Sequence, residues 1–417
     1  MAKGLPIRAA RKDRDMTLVI TSTRVLTADG AIRPAVLRIE DGHIAAVAPA
    51  ATPPPAGPHR SIDAGDRLVL PGAVDLHGDA FERNIMPRPG VRFALDLALW
   101  DTDRQLLANG ITTAFHGITY SWEPGLRGAE TVRALVAAWR AVRGRLGCDT
   151  RLHLRFETHN LAAADEVQAW LADGTFDLLA FNDHLDDIAE EVGTPHKAAK
   201  YAERTGMAVA EFRGLLDRVR GHGSAVPATV RRLAAAARRA GVPMLSHDDP
   251  TPEARRAYAA IGCTIAEFPV TEAAAVAARE AGHPVVMGAP NVLRGGSHKR
   301  VKVMTAADMV ARGLCTVLAS DYYYPALVQA PFRLAAGGVA ALPDAWALVS
   351  AAPAAAAGLA DRGTLAPGRR ADLVLVDDTD AALPRVAATL VAGQPVYLGD
   401  PALAWSAAAA PPVSAPA

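Results

Sequence analysis

Apolar and polar residues alternate at both ends of the chain and give way to longer periods in the middle. TLVITSTRVLTADG (17–30) and AVLRIEDGHIAAVAP (35–49) read as half-buried strands, broken by the hairpin signals Asp29-Gly30 and Asp41-Gly42. The same pattern returns in GRRADLVLVDDTD (368–380) and RVAATLVAGQPVYLG (385–399). Strands at both termini around a long centre predict one small composite β domain, residues 16–70 plus 362–400, with ATPPPAGP (51–58) as a loop inside it. Between them, candidate strands end near Asp79, His116, Glu157, His184, His247, Glu267, Gly288 and Asp321. Helical patterns such as AETVRALVAAWRAVRGRLG (129–147) and TEAAAVAAREAG (271–282) separate most of them, the second ending on a Gly stop. Eight strands spread over about 250 residues predict an α/β fold, a (β/α)8 TIM-like barrel over 71–361. Residues 185–240 are too long for a simple crossover and read as a helical insertion. A doubly wound sheet is the rival, but no Gly-rich fingerprint follows its first strand.

Composition narrows the class of function. Lys plus Arg and Asp plus Glu are equal at 44 each, so no overall field recruits nucleic acid or an anionic membrane. Cys148, Cys263 and Cys315 form no CxxC pair, which argues against a disulfide framework or a thiolate metal site and suits a reducing cytoplasm. No apolar run spans a bilayer, and the basic start, residues 1–15, lacks the apolar core of a secretion signal. That start and the low-complexity tail, 401–417, are both expected to be disordered.

Chemistry concentrates where strands end. PGAVDLHGDAFERNIMPRPGVRF (71–93) begins as a buried strand and then presents His77, Asp79, Glu82, Arg83, Arg88 and Arg92. His77 and Asp79 are two apart, so on a strand both face one side and can chelate one ion. RLHLRFE (151–157) alternates, with His153, Arg155 and Glu157 on one face and Leu152, Leu154 and Phe156 on the other. The active site of such a barrel lies at the C-terminal strand ends. There His77, Asp79, Glu157, His247 and Asp321, with His184 nearby, form an imidazole and carboxylate set suited to Zn²⁺ or a similar divalent ion. A lone polar residue at a strand end is ordinarily a cap or a satisfied hydrogen-bonding group, and His116 and Glu267 are read that way. A second set is basic: Arg83, Arg88 and Arg92 after the first strand, and Arg294, Ser297, His298 and Lys299 in APNVLRGGSHKRVKV (289–303) after the seventh. Glycines let backbone N–H groups approach an anion, and Arg or Lys adds charge-assisted bonds, so both segments are candidate phosphate contacts.

In this order, VDLHGDAFERNIMPRPGVRF, RLHLRFE, LSHDD, IAEFPVT, VVMGAPNVLRGGSH and LASDYYYPAL resemble the α-D-ribose 1-methylphosphonate 5-triphosphate diphosphatases, the PhnM family of the amidohydrolase superfamily. The resemblance runs from about residue 16 to 397. It implies release of pyrophosphate from a ribosyl 5-triphosphate bearing a 1-phosphonate, in the carbon–phosphorus lyase pathway of phosphonate catabolism. Carried over by position, it makes His77 and Asp79 the first-strand ligand pair, Glu157 a bridging carboxylate, His247 a later ligand and Asp321 the last-strand acid and general base. Many amidohydrolases bridge two metals with a carboxylated Lys; none of the six lysines ends a candidate strand here. Asp79 stands where His is commoner, which leaves open whether one or two ions bind. The partners expected are a small-molecule ribosyl triphosphate and no nucleic acid or membrane, with a homo-oligomer left open. An amide or cyclic-imide hydrolase and a metal-free scaffold are the competing readings.

Overall fold

Period-two segments bury one face each, and the two termini do so against one another. The computed structural model describes residues 16–407 except 57, 89 and 297–304. Strands β1 (Thr17–Leu26), β2 (Ile32–Glu40), β3 (His43–Pro49), β4 (His59–Asp63) and β5 (Leu68–Pro71) come from the N-terminal part. They share one nine-stranded sheet with the late strands Leu373–Asp377, Arg385–Val391, Gln394–Leu398 and Ala404–Ala407. Leu373–Asp377 enters antiparallel against β5, which joins the two ends of the chain. Asp41 and Gly42, with φ of 48° and 76°, make the two-residue turn between β2 and β3, where Glu40 pairs with His43. Ala404–Ala407 pairs antiparallel with β4, so part of the stretch expected to be a disordered tail is a strand.

A single residue, Gly72, separates β5 from the first strand of the second sheet. A Cβ there would meet the Thr112 side chain at 2.3 Å, so only glycine passes this joint. The second sheet comprises β6 (Ala73–Gly78), β7 (Ile111–Tyr120), β8 (Asp149–Glu157), β9 (Leu178–Asn182), β10 (Met244–His247), β11 (Ile265–Glu267), β12 (Val285–Gly288) and β13 (Val317–Ala319). All pair parallel and in sequence order. At the seam between β13 and β6, Asp321 N–H donates to His77 O (2.8 Å) and Asp79 N–H to Asp321 O (2.9 Å). Buried Asp75 clamps the same seam, accepting from Ser320 N–H (2.9 Å) and Ser320 Oγ (2.5 Å). The sheet is thus a nearly closed barrel, and the doubly wound alternative falls.

The outward face of β8, Leu152, Leu154 and Phe156, packs with Leu135, Trp139, Trp170 and Leu171 of the surrounding helices. The barrel interior below the mouth is filled by Val74, Leu76, Phe115, Leu178, Leu245, Ile265, Val286 and Val317. β7 continues four residues past His116, so that residue lies mid-strand, buried, with its ring 5.3 Å from that of Phe81. The segment 185–240 divides in two. Helices Leu185–Val192, Pro195–Thr205 and Val209–Gly221 share a small core of their own, including Ile188, Tyr201, Phe212 and Leu216, against which Trp122 packs. Helix Val226–Ala240 instead buries Val230, Leu233, Ala234 and Ala237 in the layer around the barrel, so it serves as the ordinary crossover between β9 and β10.

Candidate active site

The C-terminal ends of the barrel strands bring histidines and carboxylates together. Glu267, at the end of β11 and wholly buried, accepts from His77 Nδ1 (2.8 Å) and His247 Nδ1 (2.7 Å). An ionised carboxylate only accepts, so both Nδ1 atoms carry protons and the lone pair of each neutral ring lies on Nε2. His77 Nε2 is buried and has no hydrogen-bond partner, and neither has His153 Nε2. Arg155, from the inward face of β8, donates to Asp79 Oδ2 (3.0 Å) and lies 3.4 Å from His247 Nε2. His184 Nδ1 donates to Glu157 Oε1 (2.6 Å), and His184 Nε2 is 3.5 Å from Asp248 Oδ2.

Among the described residues, three groups offer ligand atoms within 4.8 Å of one another: His77, Asp79 and Asp321; His184, His247 and Asp248; and His77, His247 and Glu267. Orphaned imidazole nitrogens beside acids are a donor set that fits a divalent ion. Of the residues singled out in the sequence, His77, Asp79, His184, His247 and Asp321 enter these groups. Glu157 does not. It also accepts from the His184 backbone N–H (3.3 Å), and so is turned to that neighbour. The sequence reading takes Glu267 for a cap and leaves Asp248 out of the ligand set; β11 is only three residues long, too short to show alternation.

The field in this mouth separates the acids. Burial alone would raise the Glu157 carboxyl, but His184 and Arg155 outweigh it and hold it down to about 2. Burial likewise opposes ionisation of Glu267, and His77, His153 and His247 overcome it, holding Glu267 well below the usual carboxylate range. For Asp321, burial and then the neighbouring Asp79 charge act together and push it up to about 6. Burial would strip His184 of its proton, yet Glu157 and Asp248 raise it to about 9. His153 is pushed down to about 4, chiefly by burial. One acid is therefore set near neutrality among acids that stay ionised.

Above this floor opens a cavity of about 360 Å³, within the size range of small-molecule sites. Glu157, His184, His247, Asp248 and Asp321 line its base, and Arg127, Lys200, Arg204 and Arg294 line its sides together with Glu123, Asp187 and Glu191, the last paired with Lys200 (3.3 Å). Lys200 and Arg204 come from the insertion helix Pro195–Thr205, which places part of the insertion over the barrel mouth. Arg204 pairs with buried Glu123 (2.7 Å), whose other carboxylate oxygen has no partner. Arg127 pairs with Glu82 (2.8 Å), and Arg294 donates to Tyr322 Oη (3.1 Å). The arginines after β6 stand elsewhere. Arg83 lies 5.8 Å over the Tyr322 ring, Arg92 donates to Thr131 Oγ1 (3.2 Å), Arg88 bridges Val91, and none lines the cavity. Ser297, His298 and Lys299 lie outside the described residues.

The model of the amidohydrolase family matches residues 104–397. The chain is 30% identical over 350 residues to the alpha-D-ribose 1-methylphosphonate 5-triphosphate diphosphatase of Escherichia coli (strain K12), covering 82% of this chain and 91% of that one. It is 27% identical over 337 residues to an adenine deaminase of Methylobacterium nodulans, covering 77% of this chain but only 49% of that protein. Among solved structures, phenylurea hydrolase B superposes with a TM-score of 0.61 at 17% identity, covering 93% and 98% of the two chains, a likeness of fold alone.

Proposed function

The chain belongs to the amidohydrolase superfamily and, within it, to the family of the α-D-ribose 1-methylphosphonate 5-triphosphate diphosphatases; from that premise we propose that this hydrolase cleaves a ribosyl 5-triphosphate carrying a 1-phosphonate. Pyrophosphate leaves, and α-D-ribose 1-methylphosphonate 5-phosphate remains, a step in phosphonate catabolism. The observation that carries this reading is one cavity with imidazoles and acids at its base and four cations, Arg127, Lys200, Arg204 and Arg294, on its sides beside Glu123, Asp187 and Glu191. A tetrahedral intermediate of amide hydrolysis develops one oxyanion and needs little positive charge. A triphosphate brings several charges, and cleavage to pyrophosphate moves more onto the leaving group.

His77, Asp79 and Asp321 on one flank, and His184, His247 and Asp248 on the other, offer the donors from which divalent metal would be held. Such an ion supplies Lewis acidity toward a phosphoryl oxygen and makes a nearby water more acidic. Asp321, poised near neutrality, takes the proton from the water that attacks the α-phosphorus. Arg155 holds Asp79 ionised and adds fixed positive charge at the base. The side-wall cations receive the β- and γ-phosphates.

Hydrolysis in ¹⁸O-water tests the bond. The label belongs in the 5-phosphate of the ribosyl product. Label in pyrophosphate, or stepwise loss of single phosphates, assigns a different bond, and turnover of amides in place of triphosphates removes the reading altogether.

A further inference from the structure

Two of the candidate ligand groups lie on opposite sides of one side chain. Arg155 is only 6% exposed and spans from Asp79, in the group with His77 and Asp321, to His247, in the group with His184 and Asp248. We propose that its guanidinium takes the place of a second metal ion, so that this centre binds one divalent cation, on the His77, Asp79 and Asp321 side. The inference rests on the metal-dependent reading above and concerns the number of ions rather than the bond cleaved.

His247 Nδ1 donates to Glu267, so a neutral His247 offers a partner only through the lone pair of Nε2. That lone pair faces Arg155 Nη2 at 3.4 Å, while Arg155 Nη1 donates to Asp79 Oδ2 at 3.0 Å. An ion placed across the two groups would claim the same two atoms. Arginine does not surrender its proton in a protein, so this positive charge is permanent, as an ion's would be. On the other flank, both ring nitrogens of His184 already face carboxylates, Glu157 at 2.6 Å and Asp248 at 3.5 Å. His77 Nε2, by contrast, is buried and unpartnered.

Two further observations point the same way. No barrel strand carries a lysine that could be carboxylated to bridge two ions. The acid expected to replace it, Glu157, is held by the side chain and backbone of His184 and joins none of the ligand groups. The seat of Arg155 is also built into the neighbouring strand. A Cβ at Gly117 would stand 3.3 Å from Arg155 Cδ, so glycine keeps room for this side chain.

Counting ions tests this without any substrate. The full chain is stripped, reconstituted with Zn²⁺ and freed of excess metal, and elemental analysis gives equivalents per chain; Mn²⁺ loading gives a paramagnetic resonance spectrum. The wild type should retain one equivalent and show isolated Mn²⁺. Arg155→Met should take up a second ion and show the spin coupling of a pair, whereas Arg155→Lys should stay at one. Two tight equivalents in the wild type, none at all, or a single equivalent in a folded Arg155→Met overturns the proposal. If Arg155→Met does not fold, the wild-type count and spectrum decide alone. A chain that holds one ion but cleaves no triphosphate refutes the proposed function and leaves this inference standing.

Discussion

Replacing Glu267 by Gln probes how the two central imidazoles are set. The wild-type carboxylate accepts from both Nδ1 atoms at 2.8 and 2.7 Å with no exposure to solvent. A glutamine has one accepting oxygen and one donating nitrogen, so it can satisfy only one ring in the same way. The other ring must present a lone pair at Nδ1, which moves its proton to Nε2 and removes the lone pair there. Hydrogen bonds to charged groups contribute about 1.5–3 kcal/mol each, so losing the charge of both and reversing one should cost a few kcal/mol of stability. Groups that orient a metal-binding imidazole are worth about 10–100-fold in metal affinity. Glu267→Gln should therefore weaken Zn²⁺ by at least that factor in competition with a chromophoric chelator. Nitrogen-15 shifts of the stripped protein should show one ring of His77 and His247 protonated at Nε2. Wild-type affinity with both rings unchanged would refute the reasoning. Complete loss of metal with both tautomers unchanged would make Glu267 a ligand instead of a positioning group.

Asp321→Asn should lower kcat about 10²-fold or more, since it removes the proton acceptor, while tripolyphosphate affinity measured calorimetrically stays within about two-fold. Elemental analysis of the variant separates loss of the base from loss of the ion, and a rise in KM alone would refute the base role. Lys200→Ala should raise KM for the triphosphate about five-fold through loss of one partly screened charge contact, whereas Arg88→Ala, outside the cavity, should leave KM unchanged. Equal effects of the two would remove the side-wall assignment. In the stripped protein, His184 is raised from 6.5 to about 9, so its contribution is complete below the ordinary imidazole value and is lost as pH rises through about 9. The shift corresponds to about 3 kcal/mol, so His184→Gln should be less stable than the wild type near neutrality and approach it by pH 10 in chemical denaturation. A gap that does not close across that range contradicts the pairing with Glu157.

The barrel and its companion sheet were legible because both rest on periodicity. Alternation in 17–49 and 368–399 reports half-buried strands, and a two-residue turn such as Asp41-Gly42 is written in residue type. The inward set on β8 followed from the same rule, and His153, Arg155 and Glu157 do point together. What escaped was of other kinds. Glu267 ends a three-residue strand, where no period can be counted, and was read as a structural residue. Of the cavity cations, Lys200 and Arg204 share one insertion helix, but Arg127 lies far from them in sequence; tertiary packing of the insertion and of the loop after β7 brings them together. Arg83, Arg88 and Arg92 drew attention as a cluster beside a ligand strand. Proximity along the chain says little about which wall a long side chain joins.

The deepest reason that residue types alone underdescribe this centre is conformational. Asp248, Phe268 and Asp321 all adopt left-handed backbone, with φ of 56°, 52° and 55°. Asp tolerates that region, but for a bulky residue such as Phe268 it is a real outlier, costing on the order of 1–3 kcal/mol. Each is over-determined by the barrel. Asp248 N–H donates to Glu267 O (2.9 Å), Phe268 N–H to Val286 O (2.9 Å) and Asp321 N–H to His77 O (2.8 Å). Backbone pairing thus runs one step beyond the regular strand while the chain turns over at the same residue, and all three side chains line the cavity. Asp248 and Asp321 arrive as acids on opposite flanks of Arg155, and the Phe268 ring packs 5.0 Å from His77 and 5.4 Å from His247. That ring limits how far either imidazole can rotate, and Glu267 fixes which nitrogen each presents. The pairing energy of closing a parallel barrel is what holds these unfavourable turns. A centre that must keep imidazoles, acids and a guanidinium within bonding reach without letting them collapse onto one another depends on that closure, so the β6–β13 seam clamped by Asp75 and Ser320 belongs to the chemistry as much as to the fold.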